Sequence, residues 1–410
     1  MQTRTEARHL NAPAGVEADR ILRSCVHCGF CLSACPTYRL LGNEADSPRG
    51  RIYLVKQLLE GAGVSDLTRL HLDRCLTCLA CESACPSGVN YHRLISTGRL
   101  LVEQQTRRPL RERILRVLLR KILPHAGRVR LLLQPAQWLR PFLPAALRNR
   151  IPAHQAAGAW PPNRHKRTML VLDGCVQAAA SPRINAAAAR VLDRLCISLI
   201  AVKDSGCCGA LSYHLNAHDE ANEFMRRNID AWWPHIEQGT EAIVVTASGC
   251  GVQVKDYGRL LAHDPRYAEK AARVAGLARD LCEVLQQEDL DPLRQSAADA
   301  KRLVFHSPCS LQHGQRLDGV TEQVLRRLGY EPGFVPDRQV CCGSAGSYSL
   351  LQPEISQRLL RDKIAALQRN RPDLIATANI GCLLHLQSAA SIPVIHWIEL
   401  LDQDTTAPRH

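Results

Sequence analysis

Short apolar runs alternate with longer amphipathic stretches from about residue 168 onward. The runs at 168–174 (TMLVLDG), 197–202 (ISLIAV) and 241–248 (EAIVVTAS) have the length of β-strands. Between them, apolar residues recur at helical spacing near Asn185–Leu195 and Ala217–Ile236. Strands that alternate with helices in this way favour a parallel sheet.

The same order of elements returns after about residue 300. Strands are predicted at 302–307 (RLVFHS) and 373–379 (DLIATAN), with a weaker one near 333–335, and helices at Thr321–Leu328 and near 354–369. Self-similarity of this kind indicates an internal repeat. The second half of the chain therefore predicts two copies of one α/β module.

Cysteine positions support the duplication. Each copy has a lone Cys, then Cys-Cys-Gly, then Gly-Cys. The thiols are Cys175, Cys207, Cys208 and Cys250 in the first copy and Cys309, Cys341, Cys342 and Cys382 in the second. Each of them follows a predicted strand, and in open parallel sheets sites form at the carboxyl ends of the strands. We therefore expect the four thiols of each module to converge. The alternative is that Cys-Cys-Gly is only a compact turn between strand and helix.

Two further cysteines have no counterpart in the other copy. These are Cys196 and Cys282. Unpaired thiols of this kind are usually small buried side chains without chemistry, and we expect both to be buried.

The first 90 residues carry two copies of a different pattern. CVHCGFCLSACP begins at Cys25 and CLTCLACESACP begins at Cys75, and both follow Cys-x2-Cys-x2-Cys-x3-Cys-Pro. In this spacing the first three thiolates hold one [4Fe–4S] cluster and the fourth holds the neighbouring cluster. The pattern predicts one cluster on Cys25, Cys28, Cys31 and Cys85, and a second on Cys35, Cys75, Cys78 and Cys81. Structural zinc usually takes two separated Cys pairs and fits these runs poorly.

A helix is predicted between the two runs. Ser47 is a favourable N-cap and Pro48 suits the first helical position.

Charge is concentrated in one segment. The 410 residues carry a net charge of +13, and fifteen Lys or Arg with a single acid, Glu112, lie between Arg107 and Arg167. Residues 109–133 combine apolar and basic positions at helical spacing. This helix either packs its apolar face on a neighbouring domain or attaches, with Trp138 and Phe142, to an anionic membrane surface. An acidic face on a partner subunit would bind this basic helix equally well.

Several function classes are disfavoured by what the sequence lacks. It contains neither G-x-G-x-x-G after a strand nor a phosphate-binding G-x-x-x-x-G-K-[ST]. Iron–sulfur clusters move single electrons, whereas taking a hydride from an organic substrate needs a flavin or nicotinamide. Without an array of aromatic side chains for base stacking, the basic segment does not favour nucleic-acid binding. The residues predict an electron relay that works with a flavoprotein partner.

Cellular location is predicted from the same composition. The chain has no secretory signal and no apolar stretch long enough to span a membrane. Many cysteines without disulfide-scaffold density suit a reducing compartment. We expect a cytoplasmic protein, with peripheral attachment to the cytoplasmic face of the inner membrane left open.

These observations predict an α plus α/β architecture in four parts. A helical ferredoxin-type domain with two [4Fe–4S] clusters spans 1–105, and a basic, Pro-rich helical connector spans 106–166. Two duplicated α/β Cys-Cys-Gly modules follow at 167–290 and 300–405.

The motifs together resemble a known family. The two ferredoxin runs, the segments SPRGR (47–51), NIDAWWP (228–234) and TASGCG (246–251), and CCGSAG (341–346) are similar to the iron–sulfur subunits of bacterial glycolate oxidase over nearly the whole chain. The resemblance implies an electron-transfer subunit of an oxidoreductase complex. Its FAD-binding partner subunits would oxidise glycolate to glyoxylate, and electrons would pass on to a respiratory acceptor such as quinone. No catalytic residue is expected on this chain.

Two related functions remain open. The chain also resembles iron–sulfur subunits of D-lactate and glycerol-3-phosphate dehydrogenases. Its Cys-Cys-Gly modules resemble those of heterodisulfide reductase, which would make this chain itself catalytic at the Cys-Cys-Gly site.

The module endings depart from the heterodisulfide reductase pattern. That pattern ends in Cys-x-x-Cys, whereas here the endings are Cys250-Gly-Val-Gln253 and Cys382-Leu-Leu-His385. Imidazole suits iron or zinc, so His385 could replace the missing thiol. We expect a further cluster or metal on Cys309, Cys341, Cys342, Cys382 and His385. The first module, with Cys175, Cys207, Cys208 and Cys250, offers a less complete set.

Overall fold

The computed structural model describes residues 1–144, 148–294 and 302–402. The chain divides into two compact units, the first formed by Met1–Arg116 with Gln339–Leu359 and the second by Val117–Arg338 with Leu360–His410. The expected limits of the second module, 300 and 405, lie outside the described residues. The division of the chain into four parts stays a prediction.

The first unit is helical. Its helices span Ala7–Leu10, Pro13–Ser24, Phe30–Ala34, Pro36–Leu41, Pro48–Leu59, Asp66–Asp73, Ala80–Ser83, Tyr91–Gln105 and Tyr348–Leu351, with a 3₁₀ turn at Glu44–Asp46. The predicted cap is confirmed, since the Ser47 side chain accepts a hydrogen bond from the Gly50 N–H and Pro48 opens the helix. Leu22, Leu58 and Leu72 are fully buried in the core between these helices.

The second unit contains two parallel sheets. The strands are β1 (Arg167–Val171), β2 (Ile197–Ala201), β3 (Ile243–Val245), β4 (Ala278–Asp280), β5 (Leu303–His306), β6 (Leu374–Thr377) and β7 (Val394–His396). One sheet has the order β2-β1-β3-β4 and the other β5-β6-β7, and neighbouring strands are parallel in both. The predicted fold class, a helical ferredoxin-type region followed by two α/β modules, is confirmed.

Helices follow the strands of both sheets. From residue 110 onward the α-helices span Leu110–Ile122, Ala126–Leu139, Val176–Ala180, Arg183–Arg194, Ala210–His214, His218–Glu237, Ser248–Lys255, Tyr257–Leu260, Ala268–Leu277, Leu281–Gln287, Val320–Arg327, Pro353–Gln368 and Ile380–Gln387. A π turn spans Ser310–Gly314, and 3₁₀ turns span Arg140–Phe142, Asp291–Leu293 and Trp397–Leu400.

The two modules share a core and meet at their cysteine-bearing edges. Val171 and Val244 of the first sheet belong to the same buried cluster as Phe305 and Ala376 of the second. Beyond the ends of β3 and β6, the Ser248 N–H donates to the Ala378 carbonyl over 3.1 Å. The edges at which both sets of thiols were expected therefore lie side by side.

Sequence reasoning missed the last strand of each sheet. β4 (ARD) and β7 (VIH) have three residues each and include charged or polar side chains, whereas β3, of the same length, is wholly apolar and could be recognised. The weak run near 333–335 forms only an isolated bridge between Val304 and Gly333.

The two unmatched cysteines differ in exposure. Cys282 is buried, as expected, but Cys196 is exposed and the prediction for it is wrong. Cys196 has a positive φ of 59° in the turn before β2, and a tight turn of this kind lies at the protein surface.

Both Cys-Cys-Gly segments adopt one conformation. Gly209 and Gly343 have φ of 87° and 91°, and their N–H groups donate to the Sγ atoms of Cys207 and Cys341, both over 3.4 Å. A Cβ at Gly209 would lie 2.9 Å from the Ala221 carbonyl oxygen. Glycine is required here because both the dihedral angle and the close backbone approach exclude a side chain.

We expect Gly209→Ala to lower stability by about 1–3 kcal/mol, since alanine would be held at positive φ. Thermal unfolding of the anaerobically prepared protein measures the change. Gly276→Ala is the control, because Gly276 lies in a helix with nothing within 4 Å of an added Cβ and alanine favours helix. Equal melting temperatures for wild type and Gly209→Ala would contradict the expectation.

Candidate iron–sulfur and metal centres

The first predicted thiol set lines a single cavity. Cys25, Cys28 and Cys31 of the first run and Cys85 of the second lie on its wall, with apolar side chains including Ile52 around them. Cys81, assigned to the second set, also reaches this wall. Burial, followed by the proximity of Cys25 and Cys85, raises the pKa of Cys31 to about 11. The last thiol of the second run is therefore close to the first run, which is the grouping that a crossed pair of clusters needs.

The second predicted set is gathered in the same way. Burial, and then the nearby thiols of Cys78, Cys75 and Cys35, raise the pKa of Cys81 well above its usual value. Cys35 comes from the first run and the others come from the second, so each run contributes three thiols to one group and its fourth to the other.

The loops of the two runs have the same backbone. Two residues after the first Cys, His27 and Thr77 have φ of 56° and 53°, and two residues further on, Gly29 and Leu79 have φ of 86° and 65°. The Thr77 N–H points at the Cys75 Sγ over 3.4 Å. Repeated left-handed residues curl each loop so that backbone N–H groups face the sulfur atoms, as anion-binding loops do.

Polar side chains that sequence reasoning missed surround the second set. Arg51 Nη1 lies 4.0 Å from the Cys35 Sγ, and the Tyr91 hydroxyl donates to the Cys75 Sγ over 3.7 Å. Burial raises the pKa of the Cys75 thiol, but Arg51, Arg99, the Thr77 N–H and Tyr91 lower it more, so the net pKa is lowered. Arg51 falls in the SPRGR segment, yet its burial beside a thiol could not be read from spacing.

In the first α/β module the four thiols form a continuous series. Contact with Cys207, and then burial, raise the pKa of Cys175 well above its usual value. Contact with Cys175 lowers the pKa of Cys207, while contact with Cys208 and burial raise it to about 12. Cys208 in turn contacts Cys250. The set that looked less complete is thus brought together by the fold.

The second module supplies a ligand that sequence reasoning missed. His306 and Cys382, both in the second unit, are buried, and their ligand atoms lie within 4.8 Å of one another. His306 is the last residue of β5, three positions before Cys309. That position at a strand end was the signal that could have identified it.

The state of His306 suits a metal. Burial, followed by Lys363 and His385, lowers the pKa of His306 well below its usual value, which keeps the imidazole neutral. Its Nε2 is buried without a hydrogen-bond partner among the described residues. A neutral imidazole with an unsatisfied nitrogen beside the Cys382 thiol offers two donors of the kind that zinc or iron accepts.

The other expected ligands of this module differ in exposure. Cys341 is buried and Cys309 is half-buried, and His385 is close enough to His306 to affect its pKa. Asn379 Nδ2 donates to the Cys382 Sγ over 3.5 Å, and Asn379 Oδ1 accepts from the Gly249 N–H of the first module over 3.1 Å.

The connector exposes large apolar side chains. Trp138 and Phe142 are 87% and 85% exposed, and Leu131, Leu132 and Leu139 are also exposed. Some basic residues of the segment are paired, such as Arg120 with Glu220 at 3.3 Å. In the described ranges, no helix combines the length and apolar character that a membrane-spanning segment needs.

Family models match most of the cysteine-bearing sequence. The model of a 4Fe-4S dicluster domain matches residues 21–89. The model described as a cysteine-rich domain matches twice, at 169–255 and 303–387. The internal repeat found from the cysteines therefore corresponds to two copies of one domain.

Curated proteins are similar over nearly the full length. The glycolate oxidase iron-sulfur subunit of Escherichia coli (strain K12) is 54% identical over 98% of this chain and 99% of its own. The probable glycolate oxidase iron-sulfur subunit of Bacillus subtilis (strain 168) is 28% identical over 89% and 88%. Lactate utilization protein A of Bacillus licheniformis is 26% identical, over 56% of this chain and 96% of its own.

Proposed function

Because the chain belongs to the family of glycolate oxidase iron-sulfur subunits, we propose that it relays electrons within a glycolate-oxidising complex. FAD-binding partner subunits oxidise the CH–OH group of glycolate to give glyoxylate, and this chain passes the electrons toward a respiratory acceptor such as quinone. The observation that carries the proposal is the gathering of eight cysteines into two crossed groups within the helical unit.

The two groups are proposed to hold two [4Fe–4S] clusters. The ligands are Cys25, Cys28, Cys31 and Cys85 for one and Cys35, Cys75, Cys78 and Cys81 for the other. Crossed pockets fit these clusters because each offers four sulfur ligands and loop N–H groups directed at sulfur. Bound there, the clusters supply one-electron transfer, while the chain's residues hold the sulfurs and limit the access of water.

The second candidate function is the same electron relay in a complex that oxidises a related substrate. The relative named for lactate utilization matches only about half of this chain, which favours glycolate over D-lactate or glycerol 3-phosphate. A catalytic role at the Cys-Cys-Gly thiols is less supported. The pKa of Cys175, Cys207 and Cys208 is raised on balance by contact with neighbouring thiols and by burial, whereas a reactive thiol needs a lowered pKa.

The relay is tested by anaerobic affinity purification of the tagged chain from its native host. We expect flavoprotein subunits to co-purify and dye reduction to depend on glycolate rather than on D-lactate or glycerol 3-phosphate. Cys78→Ser should lower iron from about eight to about four per chain and abolish transfer to a quinone analogue. Cys196→Ser, an exposed thiol outside both groups, should leave both unchanged.

The outcomes separate the candidates. Preference for D-lactate or glycerol 3-phosphate would replace glycolate as the substrate. A chain that purifies without a flavoprotein, and that reduces a disulfide by itself, would overturn the relay in favour of catalysis at the Cys-Cys-Gly thiols.

We also propose a metal in the second cysteine-rich module, on His306 together with the ligands expected from the sequence, Cys309, Cys341, Cys342, Cys382 and His385. The buried, unpartnered Nε2 of His306 is the supporting observation. The thiol series of the first module is a further candidate, since four sulfurs in contact would be relieved of their protons by a metal.

Metal analysis of the anaerobically purified chain tests the second-module site. We expect iron above about eight per chain, or about one zinc, and loss of that excess in His306→Ala. His263→Ala, an exposed histidine, is the matched control and should keep it. About eight irons per chain and no zinc in the wild type would rule out the additional metal site.

For location, we propose peripheral attachment to an anionic lipid surface on the cytoplasmic face of the inner membrane. The residues from Arg113 to Leu172 contain no acid. The exposed apolar group at 131–142 lies within this basic segment. Basic segments with exposed aromatic side chains bind anionic interfaces through both burial and charge.

Liposome flotation measures this attachment. We expect the chain to float with vesicles that contain anionic lipid, much less with neutral vesicles, and to be released by salt. The double variant Trp138→Ser with Phe142→Ser should lose flotation, whereas Phe334→Ser, 74% exposed elsewhere, should not. Equal flotation with anionic and neutral vesicles would contradict the proposal. If the double variant instead no longer binds the flavoprotein partner, the exposed apolar surface belongs to the interface with that partner.

A further inference from the structure

The surroundings of the two thiol groups in the helical unit are not equivalent. Around the first group, formed by Cys25, Cys28, Cys31 and Cys85, the cavity wall is mainly apolar and Cys28 is exposed. Two cations lie near this group. The N-terminal ammonium of Met1 donates to the backbone carbonyls of Arg23 and Cys25, over 3.2 and 2.6 Å, rather than to a sulfur. Arg49, whose side chain is 32% exposed, pairs with Glu44 over 2.8 Å. A neutral, hydrated ion pair exerts little net field.

A buried cation lies beside the second group. The Arg51 side chain is 1% exposed. Its Nη1 reaches the Cys35 Sγ at 4.0 Å and the Thr37 Oγ1 at 3.1 Å, and its Nε donates to the His71 carbonyl over 2.7 Å. The guanidinium is therefore fixed by several partners and directed at one edge of the second group.

The nearby carboxylates do not neutralise the positive charge beside the second group. Asp46 is fully buried and accepts from Arg51 at 3.4 Å, but it also accepts from Arg74 at 3.0 Å. Arg99 adds a third cation, which donates to the Cys75 carbonyl over 2.6 Å. Glu82, the acid next to Cys81, pairs with His92 over 2.7 Å and also acts on the Cys81 thiol. Three guanidinium groups thus face two carboxylates beside this group, of which only Asp46 is fully buried.

The Tyr91 hydroxyl makes a direct hydrogen bond to a sulfur atom of the second group. Tyr91 is 4% exposed, and its hydroxyl donates to the Cys75 Sγ over 3.7 Å. The ring of Tyr91 also lines the first cavity, but its polar atom is committed to the second group. Removing only the oxygen would therefore change one group and leave the packing of both in place.

We propose that Arg51 and Tyr91 are positioning residues that give the cluster on Cys35, Cys75, Cys78 and Cys81 the higher reduction potential of the two. The inference rests on the proposed presence of two clusters. Hydrogen bonds to cluster sulfurs and nearby positive charge stabilise the more negative, reduced state. Water near Cys28 acts in the opposite sense, but a fixed charge in a buried site acts more strongly than mobile solvent.

This difference in reduction potential gives electron transfer between the two clusters a direction, from the first group to the second. The first group is the one with exposed and half-buried thiols, which suits contact with an electron donor. The second group, held among buried cations, is the one in which the electron is more stable. The side chains of this chain thereby bias which of the two centres is reduced at equilibrium.

A redox titration followed by electron paramagnetic resonance tests the inference without using turnover. The wild type should show two midpoint potentials. In Tyr91→Phe the higher potential should shift downward and the lower one should stay, because only the donor to Cys75 is lost. Tyr53→Phe is the matched control, since Tyr53 is 48% exposed in the same unit, and it should change neither potential.

A second variant tests the charge. Arg51→Gln should lower the same potential further, and where that variant does not fold, Tyr91→Phe still decides. Movement of the lower potential in Tyr91→Phe, alone or with the other, or no movement at all, would overturn the inference. Iron far from about eight per chain would instead count against the proposed pair of clusters, which keeps the two failures distinct.

Discussion

Thiol groups held against one another away from water are the constraint on which the rest of this structure depends. Each such thiol can lose its proton only where a metal or a nearby cation compensates the charge. Burial, followed by the neighbouring thiols, raises the pKa of Cys81. Contact with Cys207 lowers the pKa of Cys208, but contact with Cys250 and burial raise it more. A fold that brings so many sulfur atoms together is organised around what binds to them.

The helical unit and the α/β modules bring their thiols together by different means. In the helical unit, short loops with left-handed residues such as Gly29 and Leu79 curl three thiols around one point, and only the fourth comes from afar. In the α/β modules no two neighbouring cysteines of a site, apart from the Cys-Cys pair, are close in sequence. There the parallel sheet does the gathering, because its strands all end at one edge.

The same contrast explains which residues tune the sites. Around Cys35 and Cys75 the relevant groups are Arg51, from the helix between the runs, and Tyr91, from the helix after them. In the second module the relevant group is His306, at the end of a strand. In each case a side chain outside the cysteine motifs lies beside the thiols and adds a charge, a hydrogen bond or a ligand atom to the site.

The sequence by itself determined the local and the repeated features. The spacing of the cysteine runs, the cap at Ser47 and the duplication of the modules all depend on residues within a few positions of each other or on a pattern that recurs, so they could be predicted. The short strands β4 and β7, the exposure of Cys196, the thiol series from Cys175 to Cys250 and the contacts of Arg51, Tyr91 and His306 could not. Those features depend on which distant segments become neighbours when the core closes, and spacing along the chain carries no record of that.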